Sequence, residues 1–430
     1  MYRPPLRAST MGLVPGHLDP PDPTVPASAP PAAGGRAAGW ARRAAGSVLT
    51  PSSVTMRRYA LAGVLASVFI IITGAAVRLS QSGLGCPDWP QCTANSLIAG
   101  GVHGDSLIHR WVEFGNRLVT DAIFAIAVLV FITAWRYNAG PGGRRRRDLV
   151  WLAAAQPGAI VVQAIVGGIV VLTKLNPGWV SVHYLASAGL VAATVALYVR
   201  CQEGTAPPRP LVRREVRLIS LTVVGVVALM LAAGTVVTGT GPLAGARSVP
   251  RYSLPLTGVT QLHADIGWLL LGLVIALILA MRLSSAPRRA VRLGWLLLVL
   301  VGIQGGIGYG QYFSGLPAGV VWVHEWGAAA IWVTTLLIPY ALRERGPGFT
   351  DGSQPPPLRH YQAGIGSTGE EPHTTVPEKA FSSPAAPPAA VSSAAVSSAS
   401  ARDSAGTRQR RSETASEPRQ SRGGLSRREQ

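Results

Sequence analysis

Eight predominantly apolar stretches, each about 20 residues long, recur along this chain and fix what it can fold into. They lie at roughly 59–79, 111–135, 149–172, 180–199, 216–238, 261–281, 292–312 and 320–342. A helix rises about 1.5 Å per residue, so about 20 residues cross the hydrocarbon core of a bilayer. Inside lipid the backbone must satisfy its own hydrogen bonds, which leaves helices as the solution for stretches of this length. The length of 430 residues alone would suggest two or three soluble domains. The apolar pattern overrules that reading. The expected fold class is an all-α membrane protein with eight transmembrane helices.

The formal net charge is +19. It does not form a nucleic-acid surface, because the arginines are dispersed at alternate ends of the apolar stretches. One set of connections holds Arg57-Arg58, Arg136 with Arg144–Arg147, Arg200 through Arg217, Arg282 through Arg292, and Arg343 with Arg345. The opposite set is nearly bare, with Lys174 in one loop and Arg247 with Arg251 in another. By the positive-inside rule both termini face the cytoplasm, so we expect a multi-pass protein of the cell membrane. Its surroundings are then membrane lipid, with no nucleic acid.

Residues 1–55 are rich in Pro, Ala, Gly and Arg and carry only Asp19 and Asp22 as acids. No block there resembles a signal peptide, and the prolines oppose the amphipathic helix of a transit peptide. Met56, directly before Arg57-Arg58, is an alternative start. After Gly346 the chain becomes low-complexity and is expected to be disordered.

The membrane region repeats itself. Gln163–His183 lies on Gln304–His324 without a gap, at an offset of 141 residues, pairing Gly167 with Gly308, Leu175 with Leu316 and His183 with His324. Thr73–Gly85 lies on Ala233–Gly245 at an offset of 160. Two four-helix bundles in parallel orientation follow, since four is even. The expected organisation is a tail at 1–55, a first half at 56–200, a second half at 201–345 and a tail at 346–430.

Of eight histidines, His17, His360 and His373 lie in the tails and His103 in the first outer loop. His183, His263 and His324 open the fourth, sixth and eighth spans, all near the non-cytoplasmic ends. A single intramembrane histidine is often a packing contact between helices. Three at one depth, two of them repeat-equivalent, point instead to a site. His263 and His324 on facing helices can supply both axial ligands of one haem iron. Soft-metal binding fits less well, because no Cys or Met accompanies them.

The first half breaks this symmetry. His183 is present, but the depth-equivalent of His263 is Asn116. His109, Glu113 and Asn116 share one face of the second span by their spacing of four and three. Glu113 also stands four residues before Arg117 and can simply pair with it. Asp265 and Glu325 adjoin the ligands in sequence but point elsewhere, at the interface. Arg78, Arg110, Arg117, Arg247 and Arg251 lie on the outer side, where they can pair with haem propionates.

Several segments carry a family resemblance. Ala75-Ala76-Val77-Arg78-Leu79 with Ser82-Gly83-Leu84-Gly85-Cys86-Pro87-Asp88-Trp89-Pro90-Gln91-Cys92 resembles the first outer loop of the haem A synthase family, of the bacterial type. Thr238–Gly245, Gln261-Leu262-His263-Ala264-Asp265 and Gln311–Pro317 resemble it too, so the likeness covers roughly 57–343. It implies an oxidoreductase that converts the C8 methyl of haem O to a formyl group, giving haem A for cytochrome oxidase. It also implies haem b on His263 and His324, and a substrate haem in the first half with His183 and Glu113 as catalytic residues. A haem O synthase is the partner so implied, and a homo-oligomer is compatible with it. The family's Glu-x-x-His motif ends here in Asn116, so His109 becomes the tentative substitute ligand. The topology puts Cys86 and Cys92 outside, where a disulfide persists, and Cys201 inside as a thiol. The second cysteine pair common in the family's later outer loop is absent. The alternatives are a dihaem cytochrome b, which should keep four ligands, and a repeat-built transporter, which should break its helices at midplane.

Overall fold

A computed structural model of the chain describes residues 46, 48–94, 96–99, 105–138 and 145–346. The expected tails beyond these bounds, with His17, His103, His360 and His373, lie outside the described residues. Eight long helices are found among them. They are α1 (Ser53–Leu79), α2 (Asp105–Arg136), α3 (Arg147–Leu172), α4 (Pro177–Arg200), α5 (Arg214–Thr240), α6 (Leu256–Leu283), α7 (Arg288–Phe313) and α8 (Ala318–Ala341). All eight are long and apolar enough to span a membrane.

Local chemistry sets their starts. Ser52 caps α1, its hydroxyl accepting from the Thr55 N–H at 3.2 Å. Asn176 caps α4 by accepting from the Gly178 N–H at 3.0 Å, with Pro177 as the first helical residue. Pro255, Pro287 and Pro317 stand immediately before α6, α7 and α8, where a missing N–H costs nothing. The turns before α4 and α8 are repeat-equivalent in backbone as well as sequence. Leu175 and Leu316 both adopt the left-handed conformation, with φ of 59° and 61°.

Each set of four helices closes into a ring. In the first, α1 and α3 each pack on α2 and α4; in the second, α5 and α7 each pack on α6 and α8. The rings meet where α1 and α4 pack on α8 and α4 packs on α5. One buried apolar cluster runs across that join, from Val64 and Val191 through Val223 and Val227 to Trp332. Polar ties reinforce it. The Trp332 indole donates to the Ala188 carbonyl at 2.9 Å, and Trp322 donates to the Ile72 carbonyl at 3.1 Å. Apolar side chains also cover the outside, as with Leu61, Leu65 and Phe69 at four-residue spacing on α1. Lipid accepts that face, so helix association rests on close packing and hydrogen bonds instead of a hydrophobic gain.

One detail departs from a purely helical reading. Arg209–Pro210 (β1) and Arg343–Glu344 (β2) form a short antiparallel pair, with Arg209 opposite Glu344. Two residues per strand leave no alternation for a sequence pattern to reveal. Beside it three of the basic connections converge. Asp148 accepts from Arg146 at 2.7 Å and from Arg200 at 2.5 Å, while Glu203 accepts from Arg200 at 2.6 Å and Arg343 at 3.2 Å. Arg146 and Arg200 are buried there. The disulfide loop and His183, His263 and His324 lie at the other end of the bundle.

Candidate functional site

In the second half, α6 and α8 bring His263 and His324 face to face, with ring centroids 6.4 Å apart and planes inclined by 57°. A metal–imidazole nitrogen bond of about 2.0–2.1 Å plus a ring radius of about 1.2 Å places a shared metal ~3.2 Å from each centroid. The observed separation therefore suits one metal bonded to both rings. No group of three His, Cys, Asp or Glu that could hold a bare ion occurs among the described residues. Two axial imidazoles without further protein ligands suit an iron already held by a porphyrin.

Glycines make room for these rings. An ideal Cβ on Gly234 of α5 would lie 3.3 Å from Cε1 of His263, and one on Gly308 of α7 would lie 3.4 Å from Cε1 of His324. Gln304 of α7 donates to the His324 carbonyl at 2.7 Å, which fixes α8 against α7. Nδ1 of His324 is buried without a hydrogen-bond partner, whereas the His263 ring interacts with the Met230 backbone.

The first half repeats half of this arrangement. Cε1 of His183 lies 3.3 Å from an ideal Cβ on Gly167 of α3, and Gln163 donates to the His183 carbonyl at 2.9 Å. Gln163 also donates to the Ser187 hydroxyl. On α2, Asn116 has its Oδ1 buried without a partner. Asn116 stands twenty residues before the end of α2, as His263 does before the end of α6. The match of depth expected from the sequence is thus visible in the helices.

Glu113 is buried, and both of its carboxylate oxygens are engaged. Oε2 accepts the Cys86 N–H at 2.8 Å and Oε1 accepts Arg117 at 2.7 Å. Arg117 also donates to the carbonyls of Cys86 and Asp88 at 3.2 Å and of Gln91 at 3.0 Å. The pair grips the loop that the Cys86–Cys92 disulfide closes. The expected bond is present, and Cys201 is free and buried. His109 joins the same grip, its Nδ1 2.8 Å from the Ser82 hydroxyl. Gly85 passes so close that a Cβ would fall 2.2 Å from the His109 carbonyl. Trp89 lies against Gly168 of α3, 2.4 Å from the place of a Cβ, next to the glycine that backs His183. Glu113 and His109 are therefore both tied to the loop, Glu113 directly and through Arg117.

Several outer charges are spoken for. Arg78 pairs with Glu325 at 2.7 Å and donates to the Leu243 carbonyl at 2.7 Å, tying α1 to α8. Arg251 donates to the Gly241 and Pro242 carbonyls, and Gln261 donates to Asp265 at 2.7 Å. Sequence reasoning aligned Gln163 with Gln304 and Gly167 with Gly308 without assigning what they do. Gly234 lay in the second aligned segment, opposite Gly74, but its role, like that of Trp89, depends on the helix opposite.

Comparison with known proteins identifies the family. The model of a family described as cytochrome oxidase assembly protein matches residues 57–100 and 105–336. A protein of Shewanella oneidensis named Heme A synthase is 23% identical over 320 residues, covering 64% of this chain and 93% of its own length. A Lysinibacillus sphaericus protein of the same name is 30% identical over 148 residues, covering 34% of this chain and 45% of its own. An Oceanobacillus iheyensis protein, also so named, is 29% identical over 107 residues, or 25% and 32% of the two chains.

Proposed function

This chain belongs to the haem A synthase family of cytochrome oxidase assembly proteins, and on that premise we propose that it converts haem O to haem A. The observation that carries the reading is the pair of haem-compatible halves: two facing imidazoles in the second and a single, glycine-backed imidazole in the first. The reaction turns the C8 methyl into a formyl group. Balanced with one water, it releases four protons and four electrons, so the enzyme is an oxidoreductase. An unactivated methyl cannot be deprotonated by a side chain, so a redox centre must take the electrons.

His263 and His324 would hold haem b, which supplies an electron-transfer centre when bound. His183 binds and orients the substrate haem from α4, with Gly167 and Gln163 fixing the ring and its helix. Glu113 supplies the acid of this half, and Oε1 is the atom at which a released proton is received. Its hold on Cys86, with that of Arg117, keeps the disulfide loop over the outer end and limits water there. The basic connections face the cytoplasm of the cell membrane, which puts the disulfide outside. A haem O synthase would deliver the substrate, and a homo-oligomer is compatible with the lipid-facing apolar surface.

The test is direct. Haem extracted from membranes with and without the gene is separated by chromatography and identified by mass. Haem A should appear only with the gene, and haem O should accumulate without it. Equal haem A in both would refute the assignment.

A further inference from the structure

Each of the three membrane histidines rests against a glycine of the preceding helix: Gly167 behind His183, Gly234 behind His263, Gly308 behind His324. A fourth such position exists, on α1 and α2. Gly74 is the counterpart of Gly234 at the repeat offset, and Asn116 stands at the depth of His263. There an ideal Cβ on Gly74 meets nothing within 4 Å. The ring that meets Gly234 in the second half thus has no counterpart against Gly74. Oδ1 of Asn116 is buried without a partner.

Among the described residues of these helices, no other side chain takes the histidine's place. His109 is seven residues earlier, about 10 Å along the helix axis, and its Nδ1 is bonded to Ser82. Both oxygens of Glu113 are engaged by Cys86 and Arg117. Met56, the methionine of α1, lies at the opposite end of the bundle.

We propose that a porphyrin iron in the first half takes one protein ligand, His183, and that its other face, toward Asn116 and Gly74, is open to a small exogenous ligand. This rests on the reading that the first half binds the substrate haem. The position suits a ligand the size of carbon monoxide or imidazole, with the Asn116 amide able to donate or accept one hydrogen bond to it. The second-half iron, with two imidazoles, offers no such position.

The experiment uses the purified full chain, with added haem B as the stand-in for substrate. Carbon monoxide is titrated into the reduced protein and followed by absorption. One of two haems per chain should bind it. His183→Ala should remove that signal, and Asn116→His should weaken it at least tenfold with haem content unchanged. Asn116→Ala should keep it. Two bound haems with no reaction, a reactive haem surviving in His183→Ala, or binding gained only in His109→Ala would each overturn the inference. A chain that never takes a second haem would overturn it together with the first-half site. Haem A formed in cells by the unaltered gene tests the function separately, so the two failures are distinguishable.

Discussion

Replacing Glu113 by Gln separates a proton-accepting role from a clamping one. The substitution keeps shape and removes the charge. Its amide oxygen can accept from either the Cys86 N–H or Arg117, where the carboxylate accepts from both, at 2.8 and 2.7 Å. One charge-assisted bond is therefore lost, about 1.5–3 kcal/mol. That loosens the disulfide loop by roughly 10- to 100-fold in population, at about 1.4 kcal/mol per tenfold. Loss of a general base costs ~10²–10⁴ in rate. Arg117→Gln is the control. It breaks the same bond from the other side, together with the bonds to the carbonyls of Cys86, Asp88 and Gln91, yet leaves the carboxylate. The assay is the ratio of haem A to haem O in extracted membranes, with the haem b absorption as the measure of intact fold. We expect Glu113→Gln to lose at least tenfold more conversion than Arg117→Gln, with haem b retained. Wild-type haem A from Glu113→Gln, or a greater loss in Arg117→Gln, would show that the carboxylate only holds the loop.

His263→Ala and His324→Ala should each abolish or shift the low-spin haem b spectrum. Gly308→Val should shift it too, because its γ-methyls extend beyond a Cβ position already 3.4 Å from the His324 ring; unchanged spectra in all three would place the iron elsewhere. Mass-tagging of thiols should find Cys86 and Cys92 protected until reduction. Cys201 should label slowly, since burial pushes its thiol up to about 12. At pH 8 its thiolate fraction is then ~10⁻⁴, and labelling should rise about tenfold per pH unit; ordinary labelling at pH 8 would contradict the burial. Asp148→Asn removes the acid shared by buried Arg146 and Arg200. With Asp148 itself 38% exposed, solvent screening reduces the cost to about 1–3 kcal/mol, read as earlier loss of haem b absorbance on heating in detergent.

The eight helices and their two rings were legible because lipid imposes a length and a composition that soluble folds do not. His183, His263 and His324 were legible for the same reason: a polar ring at that depth is costly, and a repeat displays it twice. The role of Glu113 was legible only as two alternatives. Its spacing to Arg117 was plain, but its bond to the Cys86 N–H joins residues 27 apart through a loop whose path no periodicity describes. The inner network of Arg146, Asp148, Arg200, Glu203 and Arg343 looked like scattered topology signals, and became one cluster only when three connections met.

By itself, then, the sequence determined how many times the chain crosses the membrane, which spans repeat, and which three imidazoles lie at one depth. Those follow from hydropathy and helix rise, which are properties of each segment alone. Tertiary structure decided what each ring faces: the 6.4 Å between His263 and His324, the glycine behind each ring, and the lack of any such neighbour at Gly74. The physical reason is that a helix fixes the height of its residues but not its rotation or its neighbour. Both are set by packing against a second helix, in a medium where close contact and not hydrophobicity holds helices together.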